Sequence, residues 1–231
     1  MIRGTTAVIA HIGYPTHTFK APLVYNPYFE HAGIDAVVVP MGCEAGPYPA
    51  FLRSLFTLTN ILGALITMPH KVTTVALLDE ATPAVKIAGA CNAVRRSRDG
   101  RLQGDLFDGE GFVRGIRRKG FEVAGARALI AGAGGVGAAI AASLAAARVG
   151  SLALFDVRSE SATRLAPRTF VGEVVMKDEM TPFLKEAAAR GCPFQVGTDM
   201  LFEQIPAYLE FFGLPSTTPE TLRALAKIDY S

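Results

Sequence analysis

Three glycines near the middle of the chain have the spacing of turns that bind dinucleotides. The first permits a tight turn, the second lets the backbone approach a pyrophosphate, and the third allows a helix to pack closely on a strand. The helix that follows supplies unpaired N–H groups and the positive end of its dipole. The motif therefore predicts a dinucleotide site, although the same glycines could serve only a tight turn. Its residues are Gly132, Ala133, Gly134, Gly135, Val136 and Gly137.

A carboxylate follows the glycine motif at the distance expected for contact with a ribose. Asp156 ends the next apolar segment, 24 residues after Gly132. A carboxylate at this position meets the adenosine ribose hydroxyls and repels a 2′-phosphate, so it favours NAD over NADP. Arg158 could reverse this preference by pairing with the phosphate. The sequence therefore predicts NAD as the cofactor, with NADP as the alternative.

The elements that position these residues alternate between strands and helices in the first half of the chain. Apolar runs bounded by glycine or proline predict the strands, and segments opened by proline predict the helices. This alternation predicts an α/β fold. The predicted strands are 6–12, 35–41, 63–67, 90–96 and 102–104, with a hairpin turn at Asp99-Gly100. The predicted helices are 21–31, 49–57 and one from Pro69 through 76–80.

The second half continues this alternation. Residues 128–147 carry no charge, but they are mostly alanine and glycine, so we interpret them as strand, turn and helix rather than a membrane span. Thr218-Pro219-Glu220 opens a helix that we expect to run through Ile228. The remaining predicted elements are a helix at 108–119, a strand at 126–131, a helix at 137–147, a strand at 151–157 and a strand beginning at Phe170.

Composition and charge exclude several classes of protein. The chain has 231 residues, of which 50% are hydrophobic and 19% charged, which is typical of a globular protein and not of a disordered one. A net charge of +2 without a long basic cluster argues against nucleic acid as a partner. The three cysteines are predicted to be buried, reduced thiols, and neither they nor the four histidines have the spacing of a metal site. Without a secretory leader or a membrane span, we expect a cytoplasmic protein.

Five ordered segments resemble motifs of the shikimate dehydrogenase family, which includes quinate/shikimate and shikimate dehydrogenase-like branches. The resemblance covers nearly the whole chain. It implies an N-terminal α/β substrate domain with a mostly parallel sheet, formed by 1–107 and 198–231. It also implies a Rossmann-type dinucleotide-binding domain at 108–197. The segments are 63–71 (GALITMPHK), 88–94 (AGACNAV), 104–109 (GDLFDG), 181–184 (TPFL) and 197–204 (GTDMLFEQ).

The resemblance implies a catalytic pair formed by Lys71 and Asp108. Oxidation of an alcohol by NAD(P) removes a hydride from carbon and a proton from oxygen, and a lysine amine can move that proton while a carboxylate orients it. The function implied is an NAD(P)-dependent oxidoreductase that acts on the hydroxyl of a small cyclic or hydroxy-acid substrate, as a monomer or a homodimer. The resemblance also assigns Thr67, Asn92 and Gln204 to the substrate and Gly197 to the cofactor.

The chain departs from the family motifs at several polar positions. Phe19 and Ala21 of the predicted substrate pocket stand where the family has the serines of Ser-x-Ser-Pro, and Leu65 replaces the asparagine of Asn-Val-Thr. Each lost hydrogen bond to a polyhydroxy acid weakens binding by about 0.5–1.5 kcal/mol. We therefore expect weak or absent activity on shikimate, with Lys20 or His17 as other groups that could meet an acid. Further apolar replacements are Ala93, Leu106, Phe107 and Met176.

The cofactor domain is shorter than the family pattern requires. Only eleven residues separate Arg158 from Phe170, whereas a βαβ unit needs about 30. Either a segment near 159–169 is missing from the sequence, or the chain has a deletion that leaves half a cofactor domain. Two other functions stay open: a true shikimate/quinate 5-dehydrogenase of aromatic biosynthesis, and a degenerate protein that binds a nucleotide or metabolite without turnover.

Overall fold

The computed structural model describes residues 2–132, 134–155, 169–176 and 178–228, and these form two compact units. Unit 1 contains the residues up to Phe107 together with those from Pro206 onward, and unit 2 contains Asp108–Ile205. Three predicted cofactor residues, Ala133, Asp156 and Arg158, lie outside the described residues, as does most of the short stretch 159–169.

The strands and helices follow one another along the chain as the predicted alternation requires. The strands are β1 Ala7–Gly13, β2 Ala36–Gly42, β3 Ile61–Ile66, β4 Glu80–Ala81, β5 Ala93–Arg96, β6 Leu102–Asp105, β7 Arg127–Ala131, β8 Ser151–Phe155, β9 Val171–Gly172 and β10 Phe194–Gln195. The helices are α1 Pro22–His31, α2 Tyr48–Leu55, α3 Lys71–Val75, α4 Pro83–Ala88, α5 Asp108–Arg118, α6 Gly135–Ala146, α7 Pro182–Ala189, α8 Gly197–Phe211 and α9 Pro219–Leu225.

Unit 1 is built on one mixed sheet with the strand order β2-β1-β3-β5-β6-β4. β1 pairs in parallel with both β2 and β3, and β4 pairs in parallel with β6. The antiparallel strand β5 joins β3 to β6, and the predicted hairpin links it to β6. The mostly parallel sheet expected from the sequence is therefore confirmed. The parallel strands β1 and β3 end at the same edge, which positions the loops that follow them.

Unit 2 contains the strand, turn and helix predicted around the glycine motif. β7 and β8 are parallel neighbours, and α6 connects them. Ile130 of β7 packs against Ile140 and Leu144 of α6 and against Phe112 of α5. β9 and β10 form a separate parallel pair. No helix among the described residues is long and apolar enough to cross a membrane, and the uncharged stretch 128–147 forms parts of β7 and α6.

The predicted helix from Pro69 through 76–80 is wrong in extent, because α3 begins at Lys71 and ends at Val75. Four β-branched residues in succession weaken the helix. Two hydrogen bonds then draw the chain into β4: Asp79 N–H donates to the Leu102 carbonyl at 2.9 Å, and Leu102 N–H donates to Asp79 Oδ2 at 2.8 Å.

Smaller corrections apply to other elements. The tail helix ends at Leu225 rather than Ile228, and α6 begins at Gly135 rather than Gly137. Helices α4 and α8 were not among the predicted elements. A cap signal for α4 is present, since Thr82 Oγ1 accepts a hydrogen bond from Val85 N–H at the helix start.

Candidate functional site

The glycine motif forms a tight turn between β7 and α6 in unit 2. Gly132 has φ of +104°, a conformation that side chains rarely adopt, and this turns the chain at the end of β7. Gly137 lies so close to the Gly132 carbonyl that a Cβ there would be 1.9 Å from its oxygen. Gly134, in contrast, has ordinary φ of −66°, and a Cβ there would meet no heavy atom within 4 Å. The first and last glycines are therefore required by the fold, and the middle one leaves open space.

The predicted cofactor residues that the structure describes lie together at this turn, with one exception. Gly134 is the N-cap of α6, so Gly135, Val136 and Gly137 form the first helical turn. Amides in a first turn have no partner within their helix, which suits them to an anion such as a pyrophosphate. The exception is Gly197, which begins α8 and packs on the backbone of Val175, where a Cβ would be 2.1 Å from the carbonyl oxygen.

Lys71 in unit 1 is the first residue of α3, and its neighbour His70 is firmly held. The His70 imidazole donates from Nε2 to the Cys43 carbonyl at 2.7 Å and stacks on Tyr48. Burial lowers the pKa of His70, so this ring is a neutral structural group. The Lys71 carbonyl also accepts a hydrogen bond from Cys91 N–H at 2.9 Å. These contacts fix the backbone from which the half-buried Lys71 side chain projects.

Thr67 and Asn92 lie at the same edge of the unit 1 sheet as Lys71. Thr67 follows β3, and its N–H donates to the Ile12 carbonyl of β1 at 2.9 Å. Asn92 precedes β5, and its carbonyl accepts from Ile66 N–H at 2.8 Å. The Asn92 Oδ1 accepts a hydrogen bond from Phe107 N–H at 3.1 Å, whereas Nδ2 is buried with no hydrogen-bond partner among the described residues. The amide is therefore oriented, with its donor group available.

Among the apolar replacements, Phe19 lies beside Thr67 of this group. Phe19 contacts His11 of β1 in a tilted ring pair, with ring centroids 4.1 Å apart and 30° between the planes. A Cβ on Gly13 would be 2.4 Å from Thr67 Cγ2 and 2.9 Å from Phe19 Cζ, so all three residues meet. Ala21 is buried at the N-cap of α1. Among the other replacements, Leu65, Ala93, Leu106 and Phe107 are buried.

No motif in the sequence gives His11 a role, although its ring contacts Phe19. Burial, and secondarily the charge of Lys71, lower the pKa of His11 from 6.5 to about 4. Its imidazole is thus neutral at physiological pH. The signal in the sequence was a lone histidine within the apolar strand 7–13, a pattern that is more often a satisfied core residue.

Asp108 and Gln204 belong to unit 2. Asp108 is the first residue of α5 and only 3% exposed, and a carboxylate in a first helical turn is stabilised by the helix dipole. Gln204 lies on α8, and its Oε1 is buried with no hydrogen-bond partner among the described residues. Glu203 of α8 forms an ion pair with Arg118 at the end of α5, and Asp199 forms one with Lys119, the residue that follows α5.

Comparisons with known proteins identify relatives of the chain. The family model described as the shikimate dehydrogenase substrate binding domain matches residues 11–94. The shikimate dehydrogenase (NADP(+)) of Rubrobacter xylanophilus is 34% identical over 200 residues, which cover 87% of this chain and 68% of the relative. That of Moorella thermoacetica is 36% identical over 165 residues, 71% of this chain and 55% of the relative. The chain thus spans between about half and two thirds of the length of these relatives.

Solved structures share the fold at low sequence identity. The shikimate dehydrogenase of Aquifex aeolicus aligns over 99% of this chain and 100% of its own, with a TM-score of 0.89 and 20% identity. The Thermus thermophilus shikimate 5-dehydrogenase in complex with NADP(H) and shikimate aligns over 96% and 99%, with a TM-score of 0.86 and 22% identity. The 5-ketofructose reductase of a Gluconobacter strain aligns over 95% and 97%, with a TM-score of 0.85 and 20% identity. The α/β fold with a Rossmann-type unit is therefore shared with these proteins.

Proposed function

The chain belongs to the shikimate dehydrogenase family, and from this premise we propose that the protein is an NAD(P)-dependent oxidoreductase. It reversibly oxidises the hydroxyl of a small cyclic or hydroxy-acid substrate. Residues 1–107 and 198–231 bind the substrate, and residues 108–197 bind the cofactor. The observation that carries this proposal is the grouping of Lys71, Thr67 and Asn92 at the edge where β1 and β3 end.

The proposed chemistry divides between the cofactor and the chain. A nicotinamide dinucleotide held at the β7–α6 turn by Gly134, Gly135 and Val136 would supply the acceptor for the hydride of the carbon that carries the hydroxyl. The amine of Lys71 takes the hydroxyl proton, and in the reverse direction its ammonium returns that proton to the carbonyl oxygen. The Asp108 carboxylate orients the lysine and the substrate hydroxyl.

The polar groups beside Lys71 support a small oxygenated substrate. The Asn92 Nδ2 donor is buried and unpartnered among the described residues, so it can donate to a substrate oxygen without breaking an existing bond. Thr67 and Gln204 supply further hydrogen bonds. Phe19 and Ala21 replace the serines of the family's carboxylate-binding motif, and Leu65, Leu106 and Met176 replace further polar groups, so the preferred substrate is less hydroxylated than shikimate. The second candidate, true shikimate/quinate 5-dehydrogenase activity, is favoured by the names of the relatives.

The cofactor preference is a finer proposal. The relatives are named as NADP(+) enzymes, and solved structures of the fold contain NADP or NAD. Asp156 supports NAD for this chain, because a carboxylate repels the 2′-phosphate of NADP. Calorimetric titration with both dinucleotides tests the preference, and tighter binding of NADP would contradict it and assign Arg158 as a phosphate-binding residue.

We further propose that the protein acts in the cytoplasm as a monomer or a homodimer, with small molecules rather than nucleic acid or membranes as its partners. Light scattering on the purified chain measures the oligomeric state. A stable higher oligomer, or retention on DNA at physiological salt, would contradict this part of the proposal.

The experiment that tests the function is a turnover screen of hydroxy acids with NAD and NADP, followed by substitution of the proposed catalytic pair. Lys71→Ala is expected to lose most of kcat on the best substrate while the substrate Kd changes less. Asp108→Asn, which keeps the shape and removes the charge, is expected to be comparably damaging. Lys86→Ala, at an exposed position on α4, is the matched control. Near-normal kcat in Lys71→Ala would assign the lysine a structural role, and an inactive wild type that still binds dinucleotide would support the non-enzyme alternative.

A further inference from the structure

His11 belongs to a row of laterally paired residues in the unit 1 sheet, beside the site that contains Lys71. It pairs with Leu65 of β3, and Leu65 pairs in turn with Ala93 of β5. Leu65 stands where the family motif has asparagine, so this row lacks its expected amide. The neighbouring strand instead carries an imidazole in the same row. The row therefore still carries a polar side chain, but on β1 as His11 instead of on β3.

The buried end of the His11 imidazole is unsatisfied. The residue is 8% exposed, and its Nδ1 has no hydrogen-bond partner among the described residues. A buried polar atom without a partner destabilises the folded state, and an apolar ring of similar shape would avoid that penalty. Groups that lower stability in this way are concentrated at functional sites. The position therefore carries a histidine at the expense of stability.

The neighbours of His11 explain how the ring is kept neutral and covered. Burial, and secondarily the positive charge of Lys71, lower the pKa of the imidazole, and the Phe19 ring covers it in a tilted contact. A neutral imidazole beside an ammonium can accept a hydrogen bond from a hydroxyl or donate one to a carbonyl, depending on its tautomer. A cationic ring would instead compete with Lys71 for the same oxygen.

We propose that His11 is a substrate-binding residue of the Lys71 site, where its Nδ1 hydrogen-bonds an oxygen of the hydroxy acid. This proposal rests on the proposed function, because it assumes that the substrate binds beside Lys71. Nδ1 is closed to solvent, so a side chain must rotate before an oxygen reaches it. Phe19, the half-buried ring in contact with the imidazole, is the group that moves. His11 and Phe19 thereby select a substrate that has one oxygen to bind the imidazole and an apolar ring face to contact Phe19.

The test separates binding from stability by comparing two substitutions. His11→Phe keeps an aromatic ring against Phe19 and removes the nitrogen, whereas His11→Gln keeps a hydrogen-bonding group. The exposed His31→Gln is the control. The probes are shikimate and 3-hydroxycyclohexanecarboxylate, measured by KM and kcat in turnover and by Kd in calorimetry, with the melting temperature of each variant. We expect His11→Phe to raise KM and Kd about tenfold while Tm is equal or higher. His11→Gln recovers most of the affinity.

Three results would overturn the proposal. Unchanged KM and Kd in His11→Phe would mean that His11 is only a core residue. A lower Tm together with weaker binding in both variants would assign it a structural role. If wild type binds and turns over neither probe nor any acid of the screen, the proposed function itself fails and this proposal with it. The first two results leave the proposed function intact, because wild-type turnover is then present.

Discussion

The imidazole of His70 lies almost parallel to the phenol ring of Tyr48, with ring centroids 3.8 Å apart and 7° between the planes. A second contact joins the same groups, because the Tyr48 hydroxyl lies 2.6 Å from Thr74 Oγ1, which donates to the His70 carbonyl at 2.8 Å. The pair thus braces α3 at its N-cap and in its last turn. Since α3 has only five residues, this bracing rather than intrinsic helix propensity holds Lys71 in position.

Tyr48→Phe is predicted to reduce the free energy of unfolding by about 1 kcal/mol, because it removes the buried hydroxyl contact with Thr74 and keeps the ring stack. Denaturation in urea measures the loss. Tyr14→Phe, at an exposed position, is the control and should change little. Equal stability of the two variants would show that the Thr74 contact does not stabilise α3.

Strands β1, β2 and β3 can be predicted from the sequence because each is a short apolar run bounded by turn residues, and β5 and β6 because they flank the Asp99-Gly100 turn. The two-residue strand β4 has no such signal and is not among the predicted elements. The extent of α3 cannot, because Asp79 leaves the helix to pair with Leu102, a contact between positions distant in sequence. Helix α8 is also hidden, since residues 197–209 are all buried, so the polar residues Asp199, Glu203 and Gln204 do not mark a solvent-exposed face. Pro206 within that helix removes a further signal. Tertiary contacts therefore decide what local patterns leave open.

Alanine substitutions at two glycines of the β7–α6 turn should have different effects. Gly137→Ala is predicted to lower Tm by several degrees, because its Cβ would lie 1.9 Å from the Gly132 carbonyl oxygen. Gly134→Ala should leave Tm unchanged, since its Cβ meets no heavy atom within 4 Å, but it should weaken dinucleotide binding by obstructing the pyrophosphate. Thermal melts and calorimetry with NAD measure the two effects. Unaltered NAD affinity in Gly134→Ala would mean that the dinucleotide does not approach this turn.

The site is only partly readable from the sequence. The resemblance to the family motifs is what assigns Lys71, Thr67 and Asn92, and the structure places these three residues at one edge of the unit 1 sheet. His11 escapes this reasoning, since a histidine within an apolar strand does not reveal whether its nitrogens have partners. Only the three-dimensional contacts show that Nδ1 lacks one among the described residues.

His11 should make stability depend on pH below neutrality. Its pKa is about 4 in the folded chain and 6.5 ordinarily, so the unfolded chain binds the proton more readily. The free energy of unfolding is therefore not reduced by His11 protonation above pH 6.5. It falls progressively as the pH decreases towards 4, by up to about 3 kcal/mol. His11→Phe should show a shallower loss of unfolding free energy across this window than wild type or His31→Gln. Parallel curves for all three proteins would contradict the assignment.

Placing hydroxyl groups at positions 19 and 21 should shift substrate specificity towards shikimate. The double substitution Phe19→Ser with Ala21→Ser is predicted to raise kcat/KM for shikimate by about tenfold, because each new hydrogen bond contributes about 0.5–1.5 kcal/mol. Steady-state kinetics with shikimate measure the change. Phe19→Ala with unchanged Ala21 is the control for loss of the ring alone. High efficiency of wild type on shikimate would refute the argument and direct attention to Lys20.

The return of the chain to unit 1 has a consequence for its folding during synthesis. Phe212 packs on Gly63, and the Tyr28 hydroxyl donates to the Pro215 carbonyl, so α1 and the sheet depend on residues from beyond Asp108–Ile205. A ribosome adding 5–20 residues per second needs roughly 5–20 s to translate that intervening stretch. The nascent N-terminal strands wait through this interval with an uncovered surface, while unit 2 emerges as one continuous segment. Unit 2 is therefore complete on the ribosome before unit 1.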